Sequence, residues 1–293
     1  MKKALLLLLI LFPILVDAQV KGVKHVILIG IDGLGANYLK QANIPELKAA
    51  MKEGAYTMHA RCVRPSSSAD NWAAMFMGSS PSLTGYTKWD SKIPEIPPRI
   101  TDQYGMFPTI FSVMRQQRPQ AEIGIIYNWG GVGYLFPKGA VNLDEHITPD
   151  TATTQHAIQY IKNKKPNLLF VHLGEVDGAG HTIGWGTNAY YKAIHKMDSE
   201  VGQIIQAVID ADIMNESIII ITADHGGTKK GHGGITLKEL EIPWIALGHG
   251  IKKGKQLTQS IMTFDTAATI AWIFGLNPPQ VWIGRPIKSA FKF

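Results

Sequence analysis

Cysteine is almost absent from this sequence, in which Cys62 is the single example. One thiol cannot form an intramolecular disulfide, so a fold that depends on disulfides is excluded. Long apolar runs are scarce too. The run Ala4–Val16 is interrupted by Pro13 and is shorter than the roughly 20 residues that a membrane-spanning helix requires. Stability must therefore come from a packed core, with bound metal as a further candidate.

The basic residues lack interleaved aromatic residues. The formal net charge is +6, and much of the surplus lies in Lys162–Lys165 and Ile251–Lys255, which have the composition of solvated helix ends or turns. A nucleic-acid polymer is therefore not an expected partner. A mildly positive surface suits a small anionic substrate.

The N-terminus has the layout of a cleaved secretory signal. Lys2 and Lys3 precede the apolar run, and the small residue Ala18 follows it. We expect residues 1–18 to be a signal peptide, with no membrane span after its cleavage, so the mature chain would be periplasmic or secreted. An uncleaved N-terminal anchor is the alternative.

Strand-like and helix-like segments alternate after the leader. Runs rich in Val, Ile and Leu predict buried strands, and apolar residues every three to four positions predict amphipathic helices. The predicted strands are 23–32, 121–129, 167–174, 218–222 and 242–248, and the predicted helices are 45–53, 70–78, 107–117, 151–163, 188–210 and 264–274.

Continuous apolar strands are typical of a mostly parallel sheet that is covered on both faces. We therefore expect an α/β fold, a three-layer α/β/α sandwich with a mostly parallel central sheet. No repeat or linker divides the chain, so residues 19–293 are predicted to be a single domain. The Pro-rich segment 93–99 makes 86–105 a candidate small cap.

Acidic residues follow three of the predicted strands, and histidines accompany two of them. Ligands gather beyond the carboxyl ends of parallel strands, so we expect these side chains to converge. Such a cluster is costly unless a cation neutralises it. Mixed carboxylate and imidazole ligands favour zinc over manganese or iron, and the number of ligands suits two divalent ions. The candidate ligands are Asp32, Asp177, His181, Asp224, His225 and His232.

Glycines around these residues are predicted to let the backbone bend, so that neighbouring side chains aim at one point. Isolated histidines are more often structural or solvated and are assigned no role in the site. They are His25, His59, His146, His156, His172, His195 and His249.

Three serines, Ser66, Ser67 and Ser68, precede the predicted helix 70–78. A helix N-terminus directs backbone N–H groups at an anion. A serine alkoxide next to a metal ion is a strong nucleophile at neutral pH. Taken alone, the serines could simply cap the helix; beside a two-metal site, a nucleophile is favoured.

The order of these motifs resembles the alkaline phosphatase superfamily, and most closely its nucleotide pyrophosphatase/phosphodiesterase branch. The motifs are strand-Asp32, Pro65-Ser-Ser-Ser68, Asp177-x-x-x-His181, Asp224-His225-Gly and His232-Gly. The resemblance implies an alkaline-phosphatase-like fold and a phosphodiesterase that acts through a phosphoseryl intermediate on Ser68. It assigns Asp32, Ser68, Asp224 and His225 to a first zinc ion, and Asp177, His181 and His232 to a second.

The sequence departs from that branch at a substrate contact. The branch places an Asn a few residues after the glycine that corresponds to Gly85, whereas this chain has Trp89 followed by Asp90. Candidate substrate-binding residues are Asn71, Trp89, Lys88 and Arg64. The expected substrate is a small phosphate ester, with nucleotides as candidates.

Other functions remain open at this point. A phosphomonoesterase of the same fold is the main alternative, because Arg64 and Lys88 could hold the more highly charged monoester. A catalytically silent metal- or glycan-binding module is a further one. A sulfatase is disfavoured, because the Pro and Arg that must follow its nucleophile are missing after Ser68.

Overall fold

The computed structural model describes residues 20–292. The predicted signal peptide, residues 1–18, lies outside the described residues. The strands are β1 (His25–Ile31), β2 (Ala55–Arg61), β3 (Ile123–Tyr127), β4 (Leu143–His146), β5 (Leu168–Leu173), β6 (Ser217–Ala223), β7 (Glu241–Gly248) and β8 (Lys255–Gln256). The helices are α1 (Pro45–Glu53), α2 (Ser68–Met77), α3 (Pro81–Thr84), α4 (Ile110–Gln117), α5 (Asp150–Lys164), α6 (Glu175–Thr182), α7 (Asn188–Asp210), α8 (Leu237–Leu240) and α9 (Asp265–Ile273).

The strands form one eight-stranded sheet in the order β4-β3-β5-β1-β6-β7-β2-β8. Neighbouring strands are parallel except at β7, which pairs antiparallel with both β6 and β2. The central strands β1, β5 and β6 are buried along their whole length. Their Ile, Val and Leu side chains pack on both faces, as in a covered parallel sheet. The prediction of an α/β fold with a mostly parallel sheet is confirmed.

The helices associate in two groups. α7 contacts α1, α5 and α6, whereas α2 contacts α3, α4 and α9. The prediction that helical layers cover both faces of the sheet stays a prediction. None of the helices between residues 20 and 292 is long and apolar enough to cross a membrane.

The register of the central strands determines where the site lies. Ile31, the last residue of β1, pairs with Leu173 of β5 on one side and with Ala223 of β6 on the other. The residues that follow, Asp32, Gly174 and Asp224, therefore leave the sheet side by side at one edge.

The sequence interpretation was wrong about the segment after β5. The glycine-containing stretch was expected to be a bending loop, but it forms helix α6. Asp177 and His181 consequently lie four residues apart on one helix, where side chains at this spacing share a face.

The segment 86–105 contains no helix or strand. It is anchored to α2, where the backbone N–H of Ala69 donates to the carbonyl oxygen of Trp89 at 3.0 Å. Its assignment as a cap stays a prediction.

Candidate active site

Ser68 and His225 meet at the centre of the site. Ser68 is the first residue of α2, and its Oγ lies 3.1 Å from Nε2 of His225. The same imidazole nitrogen is 3.3 Å from Oδ2 of Asp224 and 3.5 Å from Oδ1 of Asp32. All four side chains are buried. These side chains converge because β1 and β6 end at the same level of the sheet, and the first residue of α2 faces those ends.

Two groups of side chains have a spacing that a metal ion could bridge. In one, ligand atoms of Asp177, His181 and His232 all lie within 4.8 Å of one another. In the other, Asp32, Asp177 and His225 meet the same limit. The first group coincides with the ligand set expected for the second zinc. The second group adds Asp177 to residues expected for the first zinc, so Asp177 lies between the two groups.

Three carboxylates of the site, two buried and one half-buried, carry buried oxygens that are unpaired. Oδ1 of Asp32, Oδ1 of Asp177 and Oδ2 of Asp224 have no hydrogen-bond partner among the residues described. An orphaned buried carboxylate oxygen is costly unless a cation compensates it. The carboxylate and imidazole donors are also those that zinc accepts. The site therefore fits divalent metal ions on its own geometry.

The pKa values of the site residues are shifted because several ionisable groups are buried and packed closely together. Burial, followed by repulsion from Asp32, raises the pKa of Asp177 to about 8. The same two causes raise the pKa of Asp224 well above its usual value. Burial and the neighbouring His232 lower the pKa of His225 to about 3. These surroundings favour the protonated forms of Asp177 and Asp224 and the neutral imidazole of His225.

Asp32 differs from the other two acids because it has donors. Nε2 of His172 lies 3.0 Å from its Oδ2, and the indole N–H of Trp72 donates to the same oxygen at 3.2 Å. Burial opposes ionisation, but His172 and His225 hold the pKa of Asp32 below its usual range. These contacts occupy Oδ2 and leave Oδ1 free.

His172 was expected to have no role in the site, and its position contradicts that expectation. The residue is fully buried in β5 and contacts a candidate metal ligand. A signal was present in the sequence: His172 is the single polar residue in the strand Leu168–Leu173. Its partner is 140 residues away, and only the pairing of His172 with Gly30 in the sheet brings the two side chains together.

The serines before α2 have separate environments. The Oγ of Ser66 donates to the carbonyl of Gly234 at 3.0 Å and accepts from the N–H of Gly233. The carbonyl of Ser66 is 3.0 Å from Nδ1 of His232. Ser67 donates to Asp70, whose pKa burial raises to about 7. Ser68 alone of the three directs its hydroxyl at His225.

The predicted substrate-binding residues have different surroundings. Asn71 is fully buried, and its amide binds the backbone of 63–67, including the N–H of Val63 at 2.7 Å. It shapes the serine loop and does not reach the cleft. Arg64 lines a different surface cleft, with Arg61 and Ser80. The expectation that these two residues contact substrate is therefore not supported by their positions.

Lys88 and Trp89 lie where a substrate could touch them. Trp89 is 59% exposed. It lines both a cleft of about 260 Å³ that contains Ser68 and a neighbouring cleft of about 670 Å³. Lys88 lines the larger cleft, and His181 and His232 line both. The two clefts thus adjoin at the candidate metal ligands.

Glycines around the site provide space and not the expected bends. Gly180, Gly226 and Gly227 have ordinary backbone angles. A β-carbon at Gly180 or Gly227 would meet the buried ring of Trp185, whose indole N–H donates to the carbonyl of Gly33 at 2.9 Å. Gly33 and Gly233 are exceptions, with φ of +68° and +101°, and a β-carbon at Gly33 would collide with Asp177.

Comparison with known proteins agrees with this geometry. Residues 26–241 match the family model described as type I phosphodiesterase / nucleotide pyrophosphatase. A curated relative is a phosphopentomutase from Clostridium novyi, 28% identical over 153 residues, which are 51% of this chain and 36% of that protein. The chain thus spans well under half the length of that relative.

Solved structures show the same fold. Murine ectonucleotide pyrophosphatase/phosphodiesterase 5, as an inactive form in complex with AMP, superposes with a TM-score of 0.75 at 15% identity, covering 92% of this chain and 100% of that one. A 2-O GAG sulfatase superposes with a TM-score of 0.76 at 16% identity, covering 92% and 74%. At such low identity these two likenesses concern the fold alone.

Proposed function

Because the chain belongs to the type I phosphodiesterase/nucleotide pyrophosphatase family, we propose that it is a metal-dependent phosphodiesterase of small phosphate esters. The family and the phosphopentomutase relative support a phosphoester hydrolase or transferase in general. The finer proposal is a hydrolase that acts on diesters or nucleotide pyrophosphates. We also propose that it is exported, on the strength of the signal-like residues 1–18.

Two zinc ions are the proposed cofactors. Asp32, Ser68, Asp224 and His225 would hold the first, and Asp177, His181 and His232 the second. When bound, such ions supply Lewis-acid stabilisation of negative charge on the attacking and leaving oxygens. The proposal is supported by the unpaired oxygens of Asp32, Asp177 and Asp224 in a buried cluster.

Ser68 is the proposed nucleophile. Its Oγ would lose its proton to the departing oxygen and form a bond to phosphorus while the bond from phosphorus to that leaving oxygen breaks. The serine then carries the phosphoryl group with its remaining ester substituent. Water would then break the Oγ–phosphorus bond and regenerate the hydroxyl. Ser68 lies at the first turn of α2, so backbone N–H groups would also be near the incoming anion.

One observation carries this proposal most directly. The hydroxyl of Ser68 lies 3.1 Å from Nε2 of His225, and this nitrogen is 3.3 Å from Asp224 and 3.5 Å from Asp32. A hydroxyl that merely caps a helix has no need of a buried cluster of acids and imidazoles beside it.

A phosphomonoesterase is the second candidate, and Lys88 is the observation that favours it. A dianionic monoester needs cations at its nonbridging oxygens, and Lys88 lines the cleft next to Ser68. Arg64, the other expected cation, lines a different cleft. Because only one of these two cationic residues lies next to the cleft of Ser68, their positions favour a diester substrate.

The test is a rate comparison on one leaving group. The purified, zinc-loaded protein would be given bis(p-nitrophenyl) phosphate, p-nitrophenyl phosphate and p-nitrophenyl sulfate. We expect the highest kcat/KM for the diester. A monoester preference of orders of magnitude would replace this proposal with the phosphatase, and no turnover of any ester by zinc-containing protein would favour the silent binding module.

A further inference from the structure

The cleft that contains Ser68 offers few groups that could bind an anionic oxygen. Its lining includes the carboxylates Asp32 and Asp177, which repel an anion, and the imidazoles His181 and His232, which are candidate metal ligands. Lys88 lines only the neighbouring cleft. What remains among the lining side chains is one amide, Asn128, and the indoles of Trp89 and Trp129.

Asn128 is held firmly by its backbone. It directly follows β3, and its N–H donates to the carbonyl of His172 at 3.2 Å. Its own carbonyl is 2.8 Å from Nε2 of His146. The residue is thereby tied to β5 on one side and to β4 on the other, next to the strand that supplies His172.

The side-chain amide of Asn128 is uncommitted. It makes no hydrogen bond to any other residue in the described part of the chain, although it is partly buried. This contrasts with Asn71, whose amide binds the backbone of 63–67 and the carboxylate of Asp70. A partly buried amide that lines a cleft and has no protein partner is available to a ligand.

The fold leaves space for this amide at Gly174. A β-carbon at Gly174 would lie 2.6 Å from Oδ1 of Asn128. Gly174 has a φ of −111°, which other residues adopt readily, so its backbone does not require glycine. The absent side chain therefore serves to admit the amide of Asn128, and Gly174 lines the same cleft.

We propose that Asn128 is a catalytic residue whose amide N–H donates to a nonbridging oxygen of the phosphate ester that Ser68 attacks. The inference rests on the proposed function. A neutral amide suits the single negative charge of a diester, whereas a dianionic monoester favours a cation. Donation should strengthen as negative charge develops on that oxygen in the transition state, so the amide should act mainly on kcat.

The test uses Asn128→Ala and Gly174→Ala in the zinc-loaded protein with bis(p-nitrophenyl) phosphate. Removing one preorganised donor lowers kcat on the order of 10²-fold in comparable sites. We expect a loss of this size in Asn128→Ala, a smaller loss in Gly174→Ala, and little change in KM. Zinc content and melting temperature should stay at the wild-type values.

Two matched variants identify the donor. Trp129→Phe removes the competing indole N–H from the same cleft, and Asn188→Ala removes an exposed amide at the start of α7. Both should retain wild-type kcat. The proposal is overturned if kcat falls only in Trp129→Phe, or if Asn128→Ala keeps the wild-type kcat.

A stereochemical readout separates a contact from a merely structural role. Wild-type protein should distinguish the two enantiomers of methyl p-nitrophenyl phosphorothioate, because sulfur is a weaker acceptor than oxygen. Asn128→Ala should reduce that discrimination, and unchanged discrimination contradicts the contact. If wild-type protein hydrolyses no diester at all, the proposed function fails; if it hydrolyses diesters and Asn128→Ala matches it, only this inference fails.

Discussion

His172 and Asp32 form a buried pair, with Nε2 of the imidazole 3.0 Å from Oδ2 of the carboxylate. Both residues belong to the centre of the sheet, one on β5 and the other just after β1. The contact fixes the orientation of Asp32 so that its unpaired Oδ1 faces His225. Partners of this kind orient metal ligands and are often nearly as important as the ligands themselves.

Replacing His172 should therefore weaken metal binding. We expect His172→Ala to lower zinc affinity about 10–100-fold, as other losses of such partners do. His172→Asn, which keeps a donor, should recover part of the affinity. Competition titration with a zinc chelator measures the change, and His195→Ala is the control because His195 lies on the outer face of α7. Equal zinc affinity in His172→Ala and the control contradicts the orienting role.

Removing the metal should inactivate and destabilise the protein. The unpaired oxygens of Asp32, Asp177 and Asp224 would face one another uncompensated. We expect chelation to abolish activity and to lower the melting temperature by several degrees, with recovery on addition of zinc but not calcium. Elemental analysis should find about two zinc ions per active chain. Full activity in protein that contains no metal would contradict the proposal that these residues form a metal site needed for activity.

Trp89 should contribute to substrate binding and not to chemistry. Its indole is 59% exposed where the two clefts adjoin. Stacking on an aromatic leaving group is worth about 0.5–1.5 kcal/mol, so Trp89→Ala should raise KM for bis(p-nitrophenyl) phosphate about 2–10-fold with kcat little changed. Ile93→Ala, an exposed apolar residue of the same segment, is the control. An unchanged KM excludes this contact.

Glu200 should make stability depend on pH. It is buried on α7 with both carboxylate oxygens unpaired by hydrogen bonds, near Asp150 of α5, Glu175 of α6 and Lys196. Burial, followed by repulsion from Asp150, raises the pKa of Glu200 to about 7. A carboxyl group whose pKa is raised by folding contributes its full stabilisation below the pKa that it has in the unfolded chain. That contribution to the free energy of unfolding is lost as pH rises through 7.

Glu200→Gln should consequently stabilise the protein at pH 8, by about 1–3 kcal/mol, and have little effect at pH 5. Urea unfolding at both pH values measures the difference. The exposed Glu46→Gln serves as the control, and a Glu200→Gln effect that is the same at both pH values contradicts the account.

The central strands and the clustering of the candidate metal ligands could be predicted from sequence because their signals are local. Strands β1 and β6 are unbroken apolar runs that end at Asp32 and Asp224. Strand β2 was missed, since its polar residues Thr57, His59 and Arg61 interrupt any apolar run. Helix α6 was missed because two glycines, which disfavour helix, lie within eight residues.

Contacts made by residues outside the motifs could not be read from the sequence. Asn71 was expected to meet substrate because it is close to Ser68 in sequence, yet its position in α2 turns its amide to the backbone of 63–67. Asn128 and His172 come from different strands and reach the site only through the pairing of β3 with β5 and of β5 with β1.

The most direct test of the central claim is the covalent state of Ser68 during turnover. Zinc-loaded protein mixed with bis(p-nitrophenyl) phosphate and quenched in acid should carry a p-nitrophenyl phosphoryl group on Ser68, detected by mass spectrometry of the peptide that contains it. Ser82→Ala, at an exposed serine, should give the same adduct, whereas Ser68→Ala should bind zinc normally, form no adduct and show no turnover. Wild-type turnover by Ser68→Ala, or an adduct on another residue, would contradict the account.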